Sequence, residues 1–161
     1  PQAKRLGFEV IVDYAFEPKA LAALYHVVDF LKPKRIIHVC GSTGGGRDKG
    51  RRKPIGRLVG ERATIVIVTD EDPYDEDPLN IIKEVSEGAK EAGKKLGKNL
   101  FEILDRREAI EQAIGLAKKG DLVLVTGKGC EQAIVTSGGR LIPWDDREAV
   151  RGVLRHIRIS G

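Results

Sequence analysis

Methionine is absent from these 161 residues and tryptophan occurs once. The missing methionine implies a chain trimmed after its initiator or cut from something longer. The two cysteines, Cys40 and Cys130, are too few for a disulfide scaffold or a zinc cluster and suit a reducing compartment. Aromatic residues make up only 5% of the chain, which is little for a surface that stacks on bases. No apolar run approaches the roughly 18 residues that a membrane-spanning helix needs. No secretory signal opens the sequence, so the expected location is cytoplasmic. Hydrophobic residues at 41% and charged residues at 32% describe an ordinary globular composition, and the length suits one domain, residues 1–161, with one core.

The net charge of +4 matters less than its distribution. Between Arg47 and Lys53 stand five bases and one acid, whereas Asp70 to Asp77 holds six acids and no base. A compact basic loop and a compact acidic loop imply a site that handles both signs. A nucleic-acid surface is the weaker reading, because the acids would repel phosphates.

Short apolar runs alternate with amphipathic ones. Phe8–Val12, Arg35–Cys40, Thr64–Thr69, Leu100–Leu104 and Asp121–Thr126 read as strands, several of them apolar on both faces, as in a parallel sheet covered on each side. Pro18 opens a helix whose stripe is Leu21, Leu24, Tyr25, Val28 and Leu31, and Pro33 closes it. Pro54 starts a second helix. Asp77–Pro78 caps a third with Leu79, Ile82 and Val85 inward, and the Gly/Lys-rich stretch from Gly88 to Lys98 reads as a loose, solvated connection. Asp105 and Asp145 cap two more helices. Ser137-Gly138-Gly139 joins a hairpin. The expected architecture is α/β: a Rossmann-like three-layer sandwich with a mostly parallel sheet and a C-terminal hairpin as an antiparallel edge.

Ligands of such sheets bind beyond the carboxyl ends of the strands, and four unusual loops leave strands there. Asp13 begins the first; it either holds a ribose hydroxyl or caps the helix at Pro18. The second, Gly41 to Lys49, follows a buried strand with four glycines, which suits backbone N–H groups that approach an anion, with Arg47 as a fork for carboxylate or phosphate; it is otherwise a flexible basic surface loop. Its spacing is neither that of a Walker A loop nor G-x-G-x-x-G. The third crowds Asp70, Glu71 and Asp72 at a strand end, an arrangement that asks for a cation. In the fourth, Gly127-Lys128-Gly129, the backbone can approach a ligand closely, with Glu131 beyond it; the alternative is a simple turn. His26 and His38 read as packing residues, Cys40 as a small buried hydrophobe, and Trp144 as a cover for the last helix.

Together these loops resemble the C-terminal domain of the Mur ligases, most closely the MurE branch, over almost the whole chain. Asp13-Tyr14-Ala15-Phe16-Glu17-Pro18 is similar to D-Y-A-H-x-P. Gly41 to Pro54 is similar to G-x-x-G-x-R-D-x-x-K-R-P, and Glu71-Asp72-Pro73-Tyr74 to the amino-acid-selecting D-N-P-R. Gly127-Lys128-Gly129-Cys130-Glu131 is similar to G-K-G-H-E, and Ile142 to Glu148 to I-P-F-D-D-R-E. The resemblance implies a domain of a ligase that uses ATP and Mg²⁺ to add an amino acid to a UDP-MurNAc-peptide through an acyl phosphate, as part of peptidoglycan synthesis. The main ATP and metal ligands would lie outside this chain, which alone would fold but not complete the reaction. It implies further that Arg47, Glu71, Asp72, Tyr74, Gly127 and Glu131 bind the incoming amino acid, and that Asp13, Tyr14 and Asp48 lie on the ATP side. Tyr74 stands where the family's Arg recognises the distal carboxylate of diaminopimelate, so that substrate is disfavoured. The more acidic Glu71-Asp72 suits a basic side chain such as that of lysine. The competing reading is a stand-alone Rossmann-like module for a nucleotide or small zwitterion.

Overall fold

The computed structural model describes residues 6–157. In chain order the elements are β1 (Glu9–Asp13), α1 (Pro18–Leu31), β2 (Ile36–Cys40), a 3-10 turn (Lys49–Arg51), α2 (Arg52–Arg62), β3 (Ile65–Thr69), α3 (Pro78–Glu91), β4 (Leu100–Ile103), α4 (Arg106–Leu116), β5 (Leu122–Thr126), β6 (Ala133–Thr136), a second 3-10 turn (Ser137–Gly139), β7 (Arg140–Pro143) and α5 (Asp146–Ile157).

Five parallel strands form the main sheet in the order β1-β5-β2-β3-β4. One register line crosses it: Val12 pairs with Val125, Val125 with Val39, Val39 with Ile67 and Ile67 with Phe101. Successive side chains of a strand point to opposite faces, and here both faces are apolar. Ile37, Val39, Ile65, Ile67, Val123 and Val125 pack with α4 and α5. Cys40, Val66 and Val68 face α1, α2 and α3, while Leu122 and Leu124 meet Tyr25 and Val28 of α1. That makes the three layers expected from the sequence. The hairpin β6–β7 forms its own two-stranded antiparallel sheet rather than an edge of the main one.

Several boundaries differ from the sequence reading. The predicted loose connection begins inside a helix, since α3 runs to Glu91 and Gly88 is buried in it. Gly56 and Gly88 let α2 and α3 touch backbone to backbone: a Cβ at Gly56 would lie 1.8 Å from the Val85 carbonyl oxygen, and one at Gly88 2.1 Å from that of Lys53. Glycine spacing that looked like a breaker is therefore a close-packing device. The connection beyond it is tight, with the Lys95 carbonyl accepting from Lys98, Asn99 and Leu100. Leu79 and Leu31 are exposed, and Ile81 joins Ile82 and Val85 in the core instead. The second helix starts at Arg52, two residues before Pro54. Trp144 packs against the cluster that contains α5, as expected, and its indole donates to Asp146 at 2.8 Å.

Candidate functional site

All four loops leave the carboxyl edge of the sheet, and they meet. Tyr14 and Phe16 of the first, Thr43 and Arg47 of the second, Glu71, Asp72 and Tyr74 of the third, and Gly127 and Glu131 of the fourth line one cleft of about 60 Å³, with Arg51 completing its wall. That volume holds a few waters or the end of a small ligand. Of the residues singled out from sequence, Arg47, Glu71, Asp72, Tyr74, Gly127, Glu131 and Tyr14 are brought together. Asp13 and Asp48 lie outside this lining. The Asp13 carboxylate accepts from the Ala15 N–H at 2.8 Å and borders a neighbouring apolar groove of about 470 Å³. Exposed Asp48 caps the 3-10 turn by accepting from Gly50 at 2.9 Å.

The glycine loop is folded onto the acidic one. Gly44 donates to the Asp72 carbonyl at 2.7 Å, and a Cβ there would lie 2.1 Å from the Pro73 oxygen. Gly46 donates to Glu76 at 3.3 Å. Those N–H groups are engaged within the protein, so an anion here falls to the guanidinium groups. Most of the basic stretch is likewise paired internally. Buried Arg52 binds Glu76 and Glu84 at 3.1 and 3.0 Å, Lys49 binds Glu76 at 3.0 Å, and Lys53 binds Glu87 at 3.2 Å. Arg47 is exposed at the rim, and no ion pair within 4.0 Å engages it among the described residues. Arg51 is nine-tenths buried. It pairs with Glu17 at 3.8 Å, donates to the Thr43 hydroxyl and lies 5.4 Å from the Phe16 ring, but its Nε has no partner.

The three crowded acids have separate fates. Asp70 accepts from the Glu71 N–H at 2.9 Å, and burial raises its carboxyl to about 6. Asp72 is closed: the Lys128 ammonium donates to both of its oxygens at 2.8 Å, and the Val135 N–H adds a bond of 2.7 Å. Glu71 is left open. It is 2% exposed, and its Oε2 has no partner. Burial raises its carboxyl to about 7 against the opposing pull of the Arg106 guanidinium. Gly127, at φ 107°, makes the space for it, since a Cβ there would lie 2.3 Å from that oxygen. Glu131 is engaged at both oxygens, by the Tyr14 hydroxyl at 3.1 Å and Lys128 at 2.5 Å. Burial works against the charge on Lys128, but its bonds to Asp72 and Glu131 outweigh it and hold the ammonium above the usual lysine range.

Sequence reasoning passed over Lys128, Arg51, Thr43 and Phe16. The signal for Lys128 was a single ammonium between two glycines at the end of an all-apolar strand, with two carboxylate loops expected beside it. His38 carries no site chemistry: its ring nitrogens meet the Tyr25 and Thr126 hydroxyls at 2.6 and 2.9 Å inside the sheet.

A family model described as "Mur ligase, glutamate ligase domain" matches residues 2–129. The chain belongs to the Mur ligase family. It is 40% identical over 154 residues to the UDP-N-acetylmuramyl-tripeptide synthetase of Roseiflexus sp. (strain RS-1), covering 96% of this chain and 30% of that protein. It is 42% identical over 145 residues to the UDP-N-acetylmuramoyl-L-alanyl-D-glutamate–2,6-diaminopimelate ligase of Zymomonas mobilis, covering 87% and 28% respectively. A solved structure of a UDP-N-acetylmuramoyl-L-alanyl-D-glutamate–2,6-diaminopimelate ligase superposes with a TM-score of 0.79 at 32% identity, over 94% of this chain and 30% of that one. The chain thus spans about a third of the length of these relatives. The match identifies it as a Mur ligase C-terminal domain homologous to MurE-type ligases, which favours that reading over a stand-alone nucleotide module. Among the described residues, no helix is long and apolar enough to cross a membrane.

Proposed function

We propose that this domain holds the incoming amino acid of an ATP-dependent ligase that extends a UDP-MurNAc-peptide in the cytoplasm. The observation that carries the proposal is the cleft itself, whose lining combines the Arg47 and Arg51 guanidinium groups with Glu71, a carboxylate that keeps an oxygen without a protein partner. A zwitterion with an additional amine matches it: guanidinium forks take a carboxylate, and a buried carboxylate takes an ammonium. Exposed Arg47 sits at the rim and receives the α-carboxylate. Glu71 lies deep, so it meets the distal end of the ligand and leaves the reacting amine facing outward, toward the activated peptide carboxyl.

Tyr74 offers a phenol where a second fork would be needed for a distal carboxylate. The amino acid selected is therefore one with a distal ammonium alone, such as lysine. ATP supplies the activation of the peptide carboxyl when bound. Asp13 and Tyr14, beside the apolar groove on α1, form this chain's edge of that site. By the resemblance to the Mur ligases, the Mg²⁺ ligands come from elsewhere in the ligase.

The test is isothermal titration of the 161-residue chain with lysine, diaminopimelate and norleucine at pH 8. Lysine is expected to bind, norleucine to bind at least tenfold more weakly, and Arg47→Ala to lose lysine binding. Equal binding of lysine and norleucine, or lysine binding that Arg47→Ala leaves unchanged, would overturn the assignment.

A further inference from the structure

The cation at the rim of the cleft stands at the end of its freest stretch of backbone. Gly44, Gly45 and Gly46 run in succession before Arg47, and glycines lose more conformational freedom on ordering than other residues do. Gly45 and Gly46 take φ values of 72° and 73°. The third loop holds the start of this run. The Gly44 N–H reaches the Asp72 carbonyl at 2.7 Å, and a Cβ on Gly45 would lie 2.8 Å from Cγ of Tyr74. Beyond Gly45 the hold passes to one side chain: among the described residues, each hydrogen bond or ion pair from residues 46–50 to a different loop ends on Glu76.

Glu76 does not line the cleft. Its own N–H is fixed by the Pro73 carbonyl at 3.0 Å. One carboxylate oxygen accepts from the Gly46 N–H at 3.3 Å; the other meets the Lys49 ammonium at 3.0 Å and the buried Arg52 guanidinium at 3.1 Å. The stem packs on the same loop, since a Cβ on Gly44 would lie 3.2 Å from that of Glu76. The bonds from Lys49, Arg52 and Gly46 hold the carboxyl down at about 2 against the effect of burial, so it is charged at neutral pH. We infer that Glu76 is a positioning residue: it grips the chain immediately before Arg47 and again two residues after it, and so fixes where the exposed guanidinium meets the carboxylate of a ligand. A partly exposed ion pair is worth little as energy. Its weight here is geometric, because a guanidinium already held in place has less freedom to lose when a ligand arrives, and that preorganisation raises affinity. The ligand in this inference rests on the amino-acid reading above; the grip does not.

Backbone order parameters from nitrogen-15 relaxation read the grip without any ligand. Gly46, Arg47 and Asp48 are expected to be rigid in the wild type, at about 0.85, and to fall below about 0.6 in Glu76→Ala. The control is Glu84→Ala, which takes an equivalent partner at 3.0 Å from Arg52 but makes no contact with the glycine loop; it is expected to leave the three values unchanged. If Glu76 served only to pair Arg52, the two variants would behave alike, and that result overturns the inference. So does a wild-type loop already as mobile as that of Glu76→Ala. Should Glu76→Ala fail to fold, Glu76→Gln, which keeps the shape of the side chain but not its charge, is expected to lower the same values by a smaller amount, and no movement there overturns it equally.

Isothermal titration with lysine reads the consequence for binding. Glu76→Ala is expected to weaken lysine at least about fivefold, and Glu84→Ala to stay within about twofold of the wild type. Equal losses in the two variants, or no loss in Glu76→Ala, overturn the inference. No lysine binding by the wild type overturns the amino-acid reading instead and leaves the relaxation measurement to judge Glu76.

Discussion

Two buried polar clusters lie side by side at the carboxyl edge of the sheet, and they are finished differently. In the first, Tyr25, His38, Thr126, Arg106, Asp146 and Trp144 form a continuous chain of hydrogen bonds across the sheet. Arg106 is fully engaged, with Asp146 at 2.8 and 2.7 Å, the Thr126 carbonyl at 2.8 Å and the Asp70 carbonyl at 3.1 Å. In the second, the cleft, Glu71 is just as withdrawn from water and Arg51 less so, yet each keeps a buried atom without a partner. An unsatisfied buried group costs about 1–3 kcal/mol, more when charged. The closed cluster stabilises the fold. The second carries an uncompensated cost.

The contrast can be broken from the closed side first. Asp146→Ala leaves the Arg106 guanidinium buried and unpaired, and is expected to cost about 3–5 kcal/mol, read by urea denaturation. His38 sharpens the same point by pH. Burial, with Arg106 nearby, lowers its ring from 6.5 to about 3. Its folded value is depressed, so its contribution is complete above pH 6.5 and is lost as pH falls, at about 1.4 kcal/mol per pH unit. The stability of His38→Gln relative to the wild type should therefore rise as pH falls from 6.5 toward 4.

The open side gives the opposite sign. The Glu71 carboxyl is raised in the folded chain from 4.5 to about 7, so stability is complete below pH 4.5 and is lost as pH rises through 7. Glu71→Gln is expected to stabilise the ligand-free chain by about 2–3 kcal/mol at pH 8 and by little at pH 5, while lysine binding is lost. A substitution that improves the fold and removes binding is the signature of a site. The smallest stability effect belongs to Arg47→Ala, within about 0.5 kcal/mol for an exposed side chain away from packing, with at least a tenfold loss of lysine affinity in the titration.

Much of the fold was legible. Strands such as Ile65–Thr69, β-branched throughout, are read correctly because a strand covered on both faces must be apolar at every position. The caps at Asp77, Asp105 and Asp145 are local chemistry, and each carboxylate accepts from N–H groups of its own helix start. Gly88 was misread, because whether a glycine breaks a helix or lets another backbone approach depends on what lies opposite, here Lys53 of α2. The site residues were legible as residue types; their states were not. Asp70, Glu71 and Asp72 look alike in the sequence, but Asp72 is closed by a lysine 56 residues away.

The sequence alone determined which segments are strands and which helices, that both faces of the sheet are covered, and that four charged or glycine-rich loops leave one edge, because these follow from periodicity and from backbone preferences within a few residues. The tertiary structure decided the strand order β1-β5-β2-β3-β4 and which carboxylate of the cleft is buried without a full set of partners. Electrostatic partnership and burial are set by what is brought across the sheet edge, and no local pattern encodes that.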